Sequence, residues 1–220
     1  MQNEARATHF NKFSDRQNFK NELIAGAVLV GKYGLPALKR NNSIPRELVP
    51  FNKAKTEQDT AHKWVHFFID DYQFERLWNF PKRYLDLLSR FEGVITPDFS
   101  MFASMPKAQQ IWNSYRNRAV AYWLQNNGVS IIPTVEWAEY SDLEWCLEGL
   151  PLNSSLALGT YGVQKQDLDR YGLIKGIEKI CKELSPESLI IYGSEITSVN
   201  SLCKNVVWIE NYCKGMKKRL

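Results

Sequence analysis

The chain has 220 residues, of which 44% are hydrophobic and 13% aromatic, enough to bury a large core within one domain and to set disorder aside. Its net charge of +4 is mild and sits in residues 1–60, where ten Lys/Arg face six Asp/Glu; such a bias attracts polyanions, but it is also ordinary for a solvated surface. A run of about 18 apolar residues is absent and the N-terminus is polar, so neither a membrane span nor a secretory leader is expected, and a cytoplasmic protein is.

Residues 1–30 read as a basic N-terminal arm or extra element, and the apolar stretch at 23–30 fits helix or strand equally well. Gly31 and Gly34 break the chain before a short extended piece at 35–38. Residues 41–60 carry Pro45, Pro50 and several charges and read as a long connection. Regular alternation starts at Trp64. The apolar run 64–69 is a strand closed by Asp70 and Asp71, and Phe74, Leu77, Trp78, Tyr84, Leu85 and Leu88 follow at helical spacing, with Pro81 as a kink or restart.

The central unit is strand, helix, strand. Val94 and Ile95 run into Thr96-Pro97-Asp98-Phe99-Ser100. A helix at about 109–126 opens near Pro106, shows Ile111, Tyr115, Ala119, Tyr122 and Trp123 on one face, and stops at Asn126-Asn127-Gly128. A second strand at 129–135 exits into Glu136 and Trp137. A short helix at 142–147, a strand at 155–160, an amphipathic helix at 168–184, strands at 189–192 and 206–209, and a basic terminal helix complete the chain.

Apolar runs without strict alternation, separated by helices, predict an α/β fold of repeated βα units on a mainly parallel sheet of six or seven strands. A compact or incomplete TIM-like barrel is favoured over an open doubly wound sheet. The division is an arm at 1–30, a single α/β domain at 31–210 and a basic tail at 211–220. Cys146, Cys181, Cys203 and Cys213 match no metal-ligand spacing and read as reduced thiols.

Several short pieces carry a resemblance: Tyr33-Gly34-Leu35-Pro36; Ile44-Pro45 with Pro50-Phe51-Asn52-Lys53-Ala54; His66 to Phe74; Thr96-Pro97-Asp98-Phe99-Ser100; Trp112-Asn113-Ser114-Tyr115-Arg116-Asn117-Arg118; Ile132-Pro133-Thr134; and Tyr192-Gly193. In this order, across about 31–195, they resemble family 4417 of the domains of unknown function. The resemblance brings no settled activity; it implies a cytosolic protein of phage or mobile-element type.

In parallel α/β folds chemistry gathers at the carboxyl ends of strands. Those ends hold Asp70, Asp71, Asp98, Ser100, Glu136, Thr160 and Glu195. Carboxylates from separate elements suit a hard divalent cation, so Asp70, Asp71 and Asp98 are candidate ligands for magnesium or manganese, and Asp71, Asp98, Glu136 and Arg116 are candidate catalytic groups. The competing reading makes the acids helix caps. Arg116 should point inward, either clamping a strand-end acid or binding an anion, while Arg118 should lie on a solvated face. His66 reads as a hydrogen-bonded core histidine. Two functions follow. One is a divalent-metal-dependent enzyme acting on a phosphate-containing or nucleic-acid substrate. The other is a non-catalytic interaction protein that binds a host protein or nucleic acid, for example a defence inhibitor. The sequence has no GxxxxGK[ST] loop, no GxGxxG and no complete nucleophile elbow.

Overall fold

Ten short strands organise the computed structural model, which describes residues 6–7, 20–160 and 167–210. Near the N-terminus β1 (Arg6–Ala7), β2 (Val28–Val30) and β3 (Leu35–Pro36) form a small antiparallel sheet with β2 in the middle. The β2–β3 turn needs Gly31 and Gly34, whose φ angles of 74° and 66° lie in the left-handed region.

The main sheet is parallel. β4 (Glu47–Pro50), β5 (Lys63–His66), β6 (Gly93–Ile95) and β7 (Ile131–Ile132) pair in chain order, as do β8 (Ser155–Gly159), β9 (Ser188–Tyr192) and β10 (Val206–Ile209). A single parallel bridge, Thr134 to Ala157, joins the two sets; Val135 N–H donates to Ala157 O at 2.8 Å and Ala157 N–H to Pro133 O at 2.9 Å. The strand order therefore follows the chain without the reversal that marks a doubly wound sheet. Among the described residues no pairing joins β4 to β10, and the sheet is not closed. The α/β class and the parallel strands match the expectation.

Each face of the sheet buries its own core. On one, Trp64, Ile95, Ile132, Ala157 and Ile190 pack together with Leu48, Phe68, Val207 and Ile209, so all seven parallel strands supply a side chain to one cluster. The fully buried Trp64 fits because Gly93 beside it lacks a Cβ, which would overlap the indole. The other face packs on the helices: α1 (Phe51–Ala54), α2 (Glu75–Asn79), α3 (Leu85–Leu88), α4 (Lys107–Asn126), α5 (Leu143–Cys146) and α6 (Asp167–Leu184). None of the described helices is long and apolar enough to cross a membrane.

Two readings of the sequence need correction. The connection expected at 41–60 contains β4 and α1. β4 is an edge strand, paired on one side only, so Pro50 at its end removes no ladder hydrogen bond the sheet requires. Cys181 and Cys203, read as reduced thiols because their spacing matches no metal-ligand pattern, are disulfide-bonded with their Cα atoms 5.5 Å apart. Cys146 is buried and free. The basic terminal helix and tail, and Cys213, lie outside the described residues.

Candidate functional site

The exits of β5, β6 and β7 meet above the sheet. After β5 the chain turns through Asp71, whose carboxylate accepts hydrogen bonds from Ser100 N–H at 3.1 Å and Ser100 Oγ at 2.8 Å. That contact ties the β5 exit to the β6 exit and holds Pro97-Asp98-Phe99 between them. Asp98 is partly buried, yet among the described residues it accepts no hydrogen bond. Its Oδ2 faces Gly159 at the end of β8: a Cβ there would lie 3.5 Å from that oxygen and 2.9 Å from the Phe68 ring. Burial, with the Asp71 charge adding to it, raises the Asp98 pKa to about 7.

Glu136, at the β7 exit, is placed from behind by α4. Asn117 donates through Nδ2 to Glu136 Oε1 at 2.6 Å and to Pro97 O at 2.7 Å, bracing two strand exits with one side chain. Glu136 Oε2 is buried and has no hydrogen-bond partner among the described residues. Desolvation pushes the Glu136 pKa well above the carboxylate range; the Asp98 and Asp71 charges act the same way, while Asn117 and Arg118 oppose it. Two carboxyls, each with an oxygen unpaired among the described residues, thus stand at neighbouring strand ends, each with its proton affinity raised. Below them Thr96 and Thr134 lock the strands together, Thr134 N–H donating to Thr96 Oγ1 at 2.8 Å and Thr134 Oγ1 to Thr96 O at 2.6 Å.

The arginines behave differently from expectation. Arg116 does point inward, but its carboxylate is Glu75 at the start of α2, at 2.7 and 2.8 Å, not a strand-end acid. It also donates to Asn113 Oδ1 at 2.7 Å and lies 3.9 Å over the Phe99 ring, so it holds the helices together, and its buried Nε has no partner among the described residues. Arg118, expected in solvent, is only 2% exposed. Its donors go to Cys146 O at 2.7 Å and Asn117 Oδ1 at 2.9 Å, and desolvation lowers its pKa to about 10 against the pull of Glu136. A helix carries arginine inward in this way only where carbonyl oxygens wait for it, here from the 146–148 turn.

The remaining candidates separate. Asp70 is exposed, and among the described residues its carboxylate receives only a long 3.4 Å contact from Gln73. Glu195 is exposed and bonded to Asn200, and Thr160 is buried. The capping alternative also fails for Asp98: the N-cap of α4 is Pro106. Among the described residues no three His, Cys, Asp or Glu side chains are arranged to hold a metal ion. His66 is buried, as expected. Its Nδ1 accepts Phe68 N–H at 3.2 Å, which places the proton on Nε2, and burial drops its pKa to about 3. Phe68 and Tyr192 stack with ring centres 5.1 Å apart and, with His66, form an aromatic wall beside Asp98. Trp137 packs against Gly176 of α6.

Asn117 and Arg118 went unrecognised as site residues in the sequence. No sequence signal marked them: that Gln110, Asn113, Ser114, Arg116, Asn117 and Arg118 are all buried, more polar groups than a packing helix needs, follows only from how α4 packs.

With the geometry described, comparison with known proteins gives a family and two phage relatives. The model of the family "Domain of unknown function (DUF4417)" matches residues 27–212, and the chain belongs to that family. It is 35% identical over 164 residues to the Gene 1 protein of Mycobacterium phage L5, covering 73% of this chain and 71% of that protein. It is 32% identical over 164 residues to the Gene 1 protein of Mycobacterium phage D29, covering 73% of this chain and 60% of that protein. No solved structure gives a significant match. The family and the phage association agree with the resemblance carried by the short motifs.

Proposed function

We propose that this DUF4417 member is an enzyme that moves protons between its substrate and the Asp98–Glu136 pair at the strand ends of an incomplete barrel. The observation that carries the reading is Asp98 itself: a partly buried carboxyl that accepts no hydrogen bond among the described residues and titrates near neutrality. Leaving such a group unpaired costs stability, and sites that do so are enriched in acid–base chemistry. Glu136, whose carboxyl burial pushes well above its ordinary value, serves as the acid, while Asp98, divided near pH 7 between its two forms, serves as the base. The barrel reading is supported by the inner cluster, which draws side chains from all seven parallel strands.

For the substrate we keep the phosphate-containing or nucleic-acid class. Two carboxyls whose proton affinities are raised repel an anion less than two ordinary carboxylates, and the excess of Lys and Arg in residues 1–60 favours one. The magnesium or manganese set of Asp70, Asp71 and Asp98 fits poorly, because Asp70 is exposed and Asp71 is engaged by Ser100; no step is routed through a metal. The test is a panel of phosphomonoester, phosphodiester and single-stranded nucleic-acid substrates, with Asp98→Asn and Glu136→Gln. The expected result is a pH–rate profile with a limb near 7 that Asp98→Asn abolishes. Unchanged turnover in both variants would end the proposal.

The interaction-protein reading keeps one specific support. Trp112 is 45% exposed, stacked on Tyr115 at 5.4 Å and set edge-on to Trp78, which is the kind of surface that anchors a protein partner. Trp112→Ala abolishing a stoichiometric complex from host lysate, with the panel silent, would favour it.

A further inference from the structure

The geometry points to Cys181 and Cys203 as a reversible two-electron thiol–disulfide site that staples α6 to the edge of the parallel sheet, and we propose it as a modification site of this protein. Cys181 lies in the last turns of α6, and Cys203 lies in the segment that leads into β10. Their Cα atoms are 5.5 Å apart, inside the range a disulfide spans without backbone movement. Both residues are only partly buried, and both line a surface pocket with Ser185, Pro186, Leu202 and Lys204. Cys146 differs on each count: it is fully buried, and burial pushes its thiol pKa up.

The link bears on an element that needs it. Among the described residues β10 pairs only with β9, and each of its four residues is only partly buried. Its end accepts a hydrogen bond from Gly193 N–H to Ile209 O at 3.0 Å, which steadies the turn that follows β9. That turn packs on Thr160, at the exit of the neighbouring strand. Oxidation therefore fixes an edge strand that supports the β9 exit, and reduction releases it.

The chemistry is thiol–disulfide exchange with a small disulfide such as oxidised glutathione. One cysteine, as thiolate, attacks a glutathione sulfur, forms a mixed disulfide and expels one glutathione thiolate. The second cysteine then attacks the protein sulfur of that mixed disulfide and expels the second. Two electrons pass from the protein sulfurs to glutathione disulfide, and the two thiol protons leave with the two glutathione thiols.

The test uses the full chain, held in oxidised glutathione or in dithiothreitol, blocked with N-ethylmaleimide, digested without reductant and read by mass spectrometry. The expected result is a peptide joining Cys181 to Cys203 in the oxidised sample only. Closing a 22-residue separation should also raise the melting temperature of the oxidised form by roughly 6–12 °C, an increment that Cys181→Ser removes and the Cys146→Ser/Cys213→Ser double variant retains. A wild-type protein that forms no Cys181–Cys203 peptide, joins either cysteine to Cys213 instead, or melts at the same temperature in both states would overturn the proposal. The peptide map needs no variant, so it stands even if Cys181→Ser fails to fold.

Discussion

Replacing Asp98 with Asn should stabilise the protein, and more so as the pH rises. The folded state raises this carboxyl from 3.8 to about 7. At 1.36 kcal/mol per pKa unit, that shift costs about 4 kcal/mol wherever Asp98 is ionised in both states. The sign follows from proton binding. Between pH 3.8 and about 7 the folded chain holds a proton at Asp98 that the unfolded chain has lost, so stability falls across this window and levels off above it. Asn carries no charge and escapes the penalty. The stability gained on substitution should therefore be about 0.5 kcal/mol at pH 4, about 1.5 kcal/mol at pH 5 and about 4 kcal/mol at pH 8. Urea unfolding of both proteins at these pH values measures it, with the midpoint moving and the slope constant. A difference that does not change with pH, or a variant that is less stable at pH 8, would refute the reasoning. A gain in stability with a loss of turnover is the pattern expected of a group retained for chemistry.

His66 should titrate in the opposite sense. Its folded pKa of about 3 lies below the ordinary 6.5, so its contribution is present above pH 6.5 and is lost as the pH falls towards 3; His66→Gln should blunt this loss in urea unfolding below pH 6. Gly93→Ala should destabilise by about 1–3 kcal/mol, because the added methyl overlaps the buried Trp64 ring, and the urea midpoint reads the change. Asn117→Ala should cost about 1–3 kcal/mol by leaving Pro97 O and Glu136 Oε1 without their donor, and should also disturb the pH profile of turnover. Glu75→Gln should cost about 2–3 kcal/mol, since it leaves the buried Arg116 guanidinium without a counter-charge.

Much of the fold was legible because the strands are short apolar runs between well-marked helices. β10 was read with its observed bounds, and β6, β8 and β9 to within one residue. β4 was hidden because an edge strand tolerates the prolines and charges that otherwise signal a loop. The strand read at 129–135 shrank to Ile131–Ile132 because Pro133 has no N–H to continue the ladder, and only the Thr134 bridge follows.

The site was half visible. Asp98 and Glu136 could be named from their place after apolar strands, but what distinguishes them from Asp70 is desolvation, which depends on Phe68, Gly159 and α4 arriving from far along the chain. The arginines show the same limit: helical spacing placed Arg116 inward, but its choice of Glu75 and the carbonyls that receive Arg118 are tertiary facts. Cys181 and Cys203 were missed for the same reason, since their approach is set by how α6 lies along the sheet and not by their spacing.

The most direct measurement of the central claim is a carboxyl-carbon NMR titration of the protein with labelled aspartate, compared with Asp98→Asn. One aspartate resonance should titrate near pH 7 and vanish in the variant. If every aspartate titrates below pH 5, Asp98 is an ordinary solvated carboxylate, and the acid–base account of the strand-end pair is wrong.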